Sequence, residues 1–333
     1  MNQRLSSASI LSILYILVTM IFEELMEKIN IGGQAVIEGV MMRAPRSVAI
    51  AVRRPSGEIV VRKEEAVPLS ERYPVVKLPI VRGAVALFAS LIIGIKALNF
   101  SANEAMVEEK EGEKEGGKKE DLSSWAMAGT MAVAFGFGIL LFFILPLYLT
   151  KLLVPLIGSS NIVFNLVDGV IRVAVFLIYI WSISRMKDIQ RVFQYHGAEH
   201  KSIFAFEAGE ELSVDNVRKY SCLHPRCGTS FLLIVMLVSI GIFSLIPKLW
   251  PFYLKAGSRV LLLPLIAGVS YELLKWSAKN DHSRLVQMVI APGLALQRLT
   301  TREPDDSQIE VAIRSMEEAL AVNAGYKDDR LVI

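Results

Sequence analysis

The feature that most constrains this fold is a set of apolar stretches, each long enough to cross a lipid bilayer as a helix. A helix needs roughly 20 mostly apolar residues to span the hydrocarbon core. Four stretches meet this requirement: 122–150, 162–184, 228–247 and 259–277. The second carries Asp168 and Arg172, which can pair on one helix face. In the fourth, Glu272 and Lys275 fall in the last turns, where they would meet the membrane interface.

Composition supports a mainly α-helical, polytopic membrane protein with about four transmembrane helices. Hydrophobic residues make up 53% of the chain, against roughly 45–50% in a typical soluble domain. The mean hydropathy of +0.45 agrees. The net charge is only +3, so nothing indicates a nucleic-acid-binding protein. The partner that the sequence predicts is therefore the lipid bilayer.

Two further apolar stretches are ambiguous. Residues 83–95 are uncharged over only 13 residues, a length that suits a re-entrant or interfacial helix within 80–99 better than a crossing. Residues 5–22 are uncharged over 18 residues. They make residues 1–25 a candidate N-terminal anchor, or alternatively a non-native start of the chain.

The distribution of Lys and Arg predicts the orientation, because cytoplasmic loops carry an excess of basic residues. Nine basic residues lie in 28–79 and seven in 185–227, whereas the connections 151–161 and 250–257 carry one each. Three segments are therefore expected on the cytoplasmic side of a multi-pass plasma-membrane protein: 23–123, 185–227 and 278–333.

The segment before the first predicted span has two parts of different character. Residues 26–79 are rich in β-forming residues, with runs at 47–52 and 58–61 joined by the turn signal Pro55-Ser56-Gly57. We therefore predict a small β-rich cytoplasmic segment. Residues 100–121 are rich in Glu, Lys and Gly, a composition typical of a solvated linker.

The rest of the chain divides into a membrane bundle at 122–277 and a cytoplasmic tail at 278–333. The bundle contains a polar motif segment at 185–228. The tail contains an amphipathic helix at 305–322, predicted to dock on another element. Its apolar positions recur at helical spacing: Ile309, Ile313, Met316 and Leu320.

The motif segment holds three of the four histidines and both cysteines. In the run His196-Gly197-Ala198-Glu199-His200, two imidazoles lie one helical turn apart and can bind one metal ion. Glu199 beside them is a candidate general base, as in the inverted zinc peptidases, whose pattern is H-x-x-E-H. The alternative is a solvated polar helix face just under the membrane.

Cys222-Leu223-His224-Pro225-Arg226-Cys227 is the second cluster. Thiolates and imidazole are preferred zinc ligands, so His224, Cys227 and, less strongly, Cys222 are candidate ligands. This cluster could share one site with the first or serve separately. The alternative is a turn before the next span, punctuated by Pro225 and filled by small apolar cysteines.

Three glutamates are further candidates for the metal site. Glu207 continues the face of the first histidine pair. Glu272 is an ionisable group within a predicted span, which makes it a functional hypothesis; the alternative is an ion pair with Lys275 or Lys279 at the interface. Glu38 lies in a glycine-rich run and could contribute a carboxylate or pair with Arg43.

Several long motifs resemble the YqhQ-like family of uncharacterised bacterial membrane proteins, which are described as predicted metal-dependent enzymes. The motifs are IGGQAVIEGVMMRAP at 31–45, YHGAEHK at 195–201, HPRCGTSF at 224–231 and LTTREPDDSQIEVAI at 299–313. The resemblance implies a bacterial cell-membrane location. It also implies these site residues: His196, Glu199, His200, His224 and Cys227.

We therefore expect a membrane-embedded enzyme of hydrolase type with a divalent metal, zinc by preference, at its cytoplasmic face. His196 and His200 would be ligands and Glu199 the base. The rival hypothesis is a membrane scaffold or assembly factor with a structural metal site. The motifs specify neither substrate nor protein partner.

Overall fold

The computed structural model describes residues 31–106, 124–157, 160–247, 249–279 and 283–325. This part of the chain is mainly helical, with one small antiparallel sheet. The strands are β1 (Gly32–Val36), β2 (Gly39–Ala44), β3 (Ser47–Arg53) and β4 (Ile59–Glu65). The helices are α1 (Leu69–Arg72), α2 (Val81–Ala105), α3 (Ser124–Ile139), α4 (Leu145–Ile157), α5 (Asn161–Ile183), α6 (Lys187–Glu207), α7 (Val214–Arg218), α8 (Gly228–Phe243), α9 (Phe252–Leu261), α10 (Leu263–Lys279), α11 (Arg284–Thr300) and α12 (Asp306–Gly325).

The N-terminal part of the described chain is a meander of four strands in the order β1-β2-β3-β4. This confirms the predicted β-rich segment and adds two strands in its glycine-rich run, before the two β-forming runs. The β3–β4 hairpin turns at Gly57, whose φ of +92° suits a residue without a Cβ. The β1–β2 hairpin turns at Glu38, also at positive φ (+53°), which is uncommon for a residue with a side chain.

Both faces of the sheet are covered, because side chains alternate between the two faces along a strand. Val40 and Ala51 pair across β2 and β3 and pack toward α6 and α12. Met41 and Ile50 form the next pair and pack on the opposite face, with Ala97 of α2. The sheet thus lies between one helix on one side and two on the other.

Helix α12 docks on this sheet through the predicted apolar face. Ile309 and Met316 are fully buried. Ser315 adds a polar tie, since its hydroxyl accepts the Met42 N–H at 3.1 Å and donates to the Ala49 carbonyl at 3.0 Å. The predicted docking helix is therefore confirmed, and its partners are β2, β3 and α6.

Among the described residues, three helices are long and apolar enough to cross a membrane, judged by length and composition: 81–105, 132–156 and 162–183. A fourth is obtained if the pair 253–261 and 263–277, bent by 42°, forms one span. The break lies at Leu262, two residues before Pro264, which has no N–H to continue the helical hydrogen bonds and whose ring clashes with the carbonyl four residues earlier. The predicted span at 228–247 is a shorter apolar helix, α8.

Helix α2 differs from the prediction for 83–95. It runs unbroken for 25 residues, longer than the re-entrant or interfacial helix predicted within 80–99. The helix continues because its later turns rest on the sheet through Ala97 and Ser101, whose hydroxyl accepts the N–H of Ile37. Apolar side chains such as Phe88, 54% exposed, project from another face.

Helix α11, at 284–300, is an addition to the predicted architecture of the tail. It packs mainly on α8, and Gly293 allows the close approach, since a Cβ there would lie 2.7 Å from the Ser230 hydroxyl. In the tail, α11 therefore packs with the apolar helices, and α12 packs on the sheet. Residues 1–25 and residues 107–121 of the predicted linker lie outside the described residues.

Candidate metal centre

Helix α6 carries the first two ligand candidates. His196 and His200 are separated by one helical turn and project from the same face, with ring centroids 4.4 Å apart. The opposite side of the helix is anchored in the core by Tyr195 and Ala198, both fully buried. The packing of α6 against the sheet and α12 therefore fixes the direction of the two imidazoles.

Cys227 brings a third donor from the start of α8. It is the N-cap residue, and its Sγ accepts the Thr229 N–H at 3.4 Å. The same sulfur lies 3.3 Å from His196 Nε2. Ligand atoms of His196, His200 and Cys227 all lie within 4.8 Å of one another. We call these three residues the His/Cys cluster.

Two backbone carbonyls set the tautomers of the histidines. His196 Nδ1 lies 2.8 Å from the Thr300 carbonyl oxygen, and His200 Nδ1 lies 2.5 Å from that of Cys222. A carbonyl only accepts, so each Nδ1 must carry the proton, which leaves the Nε2 lone pair available. Carbonyl partners of this kind typically orient metal-binding histidines. Burial lowers the pKa of His200, which favours the neutral, ligating form.

The extended segment after α11 holds the Thr300 carbonyl in place. The Arg302 N–H donates to the Phe193 carbonyl at 2.9 Å, which fastens the segment along α6. Gly197 makes this approach possible, because a Cβ there would lie 2.1 Å from the Arg302 carbonyl oxygen. The glycine that is a poor helix former in the sequence motif is thus required by packing.

Gln297 fixes the loop before Cys227 and is a site residue that the sequence analysis missed. Its amide oxygen accepts the His224 N–H at 2.8 Å. Its Nε2 donates to the His224 carbonyl at 2.8 Å and to the Ser230 hydroxyl at 3.0 Å. The side chain is fully buried. The sequence signal that could have identified Gln297 is an amide side chain within the mostly apolar stretch 284–300.

His224 and Glu207 lie beside the cluster and close to each other, although His224 Nε2 has no hydrogen-bond partner among the described residues. The His224 ring is 5.6 Å from that of His200, but its Nε2 lies 3.7 Å from Glu207 Oε2. Glu207 also forms an ion pair with Arg226. Burial alone would raise the pKa of Glu207, but His224 and Arg226 lower it below its usual value. His224 and Glu207 therefore lie beside the His/Cys cluster and are not among its three converging donors.

Glu199, the candidate base, is fully buried and faces β1. A Cβ on Gly33 would lie 2.8 Å from its carboxylate, so the glycine makes room for it. Burial raises the pKa of Glu199 to about 7, against the opposing effects of the His196 charge and the Gly33 N–H. Glu199 Oε2 has no hydrogen-bond partner among the described residues. The structure does not direct this carboxylate into the His/Cys cluster.

The other candidates are engaged elsewhere. Cys222 Sγ lies 3.2 Å from Glu303 Oε2, and burial together with this carboxylate raises its pKa to about 12. Glu272 forms an ion pair with Arg82 of α2, a residue that the sequence analysis did not consider as its partner. Glu38 pairs with Arg191 rather than Arg43.

The segments that build this site occur together in other proteins. The family described as protein of unknown function, DUF1385, matches residues 78–322, which include the whole His/Cys cluster. The chain belongs to the DUF1385 family. The uncharacterised protein YqhQ of Bacillus subtilis (strain 168) is 36% identical to it over 297 residues, covering 88% of this chain and 93% of that protein. The expected YqhQ-like membership is confirmed. No solved structure matches the chain.

The donor set of the cluster fits a divalent transition metal. Two imidazole nitrogens and one thiol sulfur are the ligands that zinc prefers. Structural zinc sites usually have four protein ligands, whereas catalytic sites have three and leave one position open. Among the described residues, three donors converge here. His196 is half-buried and the other two are buried, so the His196 side is the exposed one.

Proposed function

We propose that this chain is a membrane protein whose His196, His200 and Cys227 bind a divalent metal ion, zinc by preference. The observation that supports this proposal is the convergence of two Nε2 atoms and one Sγ, with both Nδ1 atoms engaged by backbone carbonyls. His200 Nε2 is buried and has no hydrogen-bond partner in the described part of the chain. A bound cation would satisfy this buried acceptor.

The membrane part of the proposal rests on the apolar surface of the helices. Side chains such as Leu156 (82% exposed), Leu245 (80%) and Leu261 (81%) project from α4, the end of α8 and α9. Exposed apolar surface of this extent is stable in lipid rather than in water. The excess of Lys and Arg in 28–79 and 185–227 supports the part of the proposal that puts the His/Cys cluster on the cytoplasmic side of a bacterial plasma membrane.

Metal-assisted hydrolysis is the activity that the three-donor set supports best. A metal in an open site supplies Lewis acidity and a water nucleophile that is active near neutral pH. In this proposal His196, His200 and Cys227 would hold the ion, and Glu199 would serve as the proton acceptor. The base role requires that the reacting water reach the side of α6 that faces Gly33.

A structural metal site in a membrane scaffold is the second candidate, and one observation favours it. The Glu199 carboxylate lies against β1 rather than in the His/Cys cluster. A metal on this cluster would tie α6 to the start of α8 without taking part in any reaction. Such a metal link would hold the β-sheet, on which α6 packs, against the apolar helices.

Elemental analysis of the full-length chain purified in detergent tests metal binding. We expect stoichiometric metal in the wild type and none in the double variant His196→Ala/His200→Ala. His224→Ala is the matched control, since it removes a neighbouring imidazole outside the cluster and should keep the metal. A wild type without metal, or equal loss in the control, would contradict the assignment of ligands.

Glu199→Gln separates the enzyme from the scaffold. The glutamine side chain has nearly the same size as glutamate, but its amide cannot act as a general base. If Glu199 is the base, the variant retains the metal but fails to complement a deletion of the chromosomal copy. If the site is structural, complementation by Glu199→Gln equals that by the wild type.

A further inference from the structure

A second buried polar cluster lies within the apolar helices, away from the His/Cys cluster. Asp168 of α5 accepts from Arg172 at 3.0 Å and from Arg259 of α9 at 2.9 Å, both at Oδ2. The three side chains are 2%, 7% and 3% exposed. We call them the Asp/Arg cluster. The sequence predicted the pair in α5 but not the second arginine.

The Asp/Arg cluster has an excess of positive charge. Two guanidinium groups face one carboxylate, and in the described part of the chain Arg259 Nε, Arg259 Nη1 and Arg172 Nε have no hydrogen-bond partner, against one unpartnered acceptor, Asp168 Oδ1. The ring of Phe243 lies 5.1 Å from each guanidinium carbon, which covers the charges without neutralising them. A buried charge without a counter-charge is strongly unfavourable. An anion at Arg259 would remove that cost.

Arg259 also lines an apolar groove of about 620 Å³ between α3–α4 and α9–α10. The other lining residues include Phe135, Gly138, Phe142 and Val260. The α3–α4 wall contains a π-helical turn at Leu140–Ile144, a feature often found at functional sites. The groove therefore combines an apolar wall with one buried cation.

We propose that this groove binds an anionic phospholipid, with an acyl chain along α3–α4 and the charged headgroup at Arg259. The volume lies in the range of ligand pockets, roughly 300–1,000 Å³. The occupant must be amphiphilic, because a free anion would leave the apolar wall uncovered. It must be anionic, because Arg259 has donors in excess and the Asp/Arg cluster carries a net positive charge.

Native mass spectrometry of the full-length protein in detergent tests this proposal, with phosphatidylglycerol, phosphatidylcholine and inorganic phosphate as probes. We expect phosphatidylglycerol to bind more tightly than phosphatidylcholine, and phosphate alone to give no retained adduct. Equal binding of the two lipids would overturn the headgroup assignment. Retention of phosphate with no lipid would show an ion site instead and would also overturn the proposal.

Two glycines of α3 provide a matched pair of variants. A Cβ meets nothing within 4 Å at Gly136 or at Gly138, but Gly138 lines the groove and Gly136 does not. Gly138→Leu should therefore weaken phosphatidylglycerol binding, whereas Gly136→Leu should leave it unchanged. Equal affinities for the two variants would overturn the groove assignment.

Arg259→Gln tests the headgroup contact. Loss of a charged hydrogen bond costs about 1.5–3 kcal/mol, so phosphatidylglycerol should bind at least about tenfold more weakly, with no preference left over phosphatidylcholine. Retained preference would overturn the proposal. Metal content reports on the separate His/Cys cluster and should stay at the wild-type level in these variants, so failure of the lipid site is distinguishable from failure of the metal site.

Discussion

The His/Cys cluster and the Asp/Arg cluster are both buried polar groups, and they lie at opposite ends of one helix. Cys227 caps the start of α8, and Phe243 at its end covers both arginines. The 16 residues of α8 span about 24 Å, at 1.5 Å per residue. The helix therefore connects two sites that differ in the hydrogen-bonding groups they leave without a partner.

The two clusters differ in what remains unsatisfied. In the His/Cys cluster the Nδ1 protons are donated to carbonyls, and the lone pair of His200 Nε2 is left over. In the Asp/Arg cluster Asp168 Oδ2 accepts twice, and unpartnered donors outnumber acceptors, because three arginine N–H nitrogens but only one carboxylate oxygen, Asp168 Oδ1, are left over among the described residues. A spare acceptor indicates a cation and a spare donor indicates an anion. The following predictions test that contrast.

The largest expected effect is on the Asp/Arg cluster itself. Asp168→Asn leaves two buried guanidinium groups without a counter-charge, which costs about 3–5 kcal/mol when one partner of a buried pair is removed. Thermal unfolding in detergent should show a correspondingly lower stability. Asp215→Asn is the control, since that carboxylate is 90% exposed and lies 4.0 Å from its arginine. Equal stabilities of the two variants would mean that Asp168 does not compensate the arginines.

Cys227→Ser separates metal binding from helix capping. Serine is a good N-cap, so the stability of the metal-free protein should change little. Replacing the thiol removes one of the three proposed ligands, and we expect metal affinity to fall by more than about 100-fold, beyond the loss typical of ligand-orienting partners. Competition with a chelator measures this. Unchanged affinity would show that Cys227 serves only as a cap.

Gly197→Ala tests the close approach that positions the Thr300 carbonyl. In an open helix this change would stabilise by about 1 kcal/mol. Here the Cβ would meet the Arg302 carbonyl oxygen at 2.1 Å, so we expect a net loss of about 1–3 kcal/mol and weaker metal binding. Gly241→Ala in α8, where a Cβ meets nothing within 4 Å, should be neutral or stabilising. Stabilisation at both positions would contradict the contact.

Much of the fold followed from local periodicity. The hairpin at 47–61, the face of α12 and the pair His196/His200 depend on spacings of two, three and four residues, which the sequence shows directly. The convergence of Cys227 on that pair was left open, because the relative placement of α6 and α8 is set by tertiary packing. Sequence spacing determines which residues share a helix face, but tertiary packing determines which residues share a site.

The remaining features depend on contacts between distant residues. Arg259 reaches Asp168 across 91 positions, and the Thr300 carbonyl reaches His196 across 104. No local pattern identifies a carbonyl as the partner that sets a tautomer. The role of Glu199 was inferred from a motif in which the base faces the metal; here Gly33 creates space on the other side. Tertiary packing determines which way the Glu199 side chain points, so the motif alone could not predict it.

The smallest expected effect separates the two cysteines and also the two proposed functions. Cys222→Ser keeps the carbonyl that orients His200, and a hydroxyl can replace the thiol as a donor to Glu303. We therefore expect metal affinity equal to that of the wild type in the same chelator competition, although the identical change at Cys227 lowers it strongly. If both variants lose affinity alike, Cys222 acts as a fourth protein ligand. The site would then be closed, and a closed site favours the structural role in a scaffold over hydrolysis.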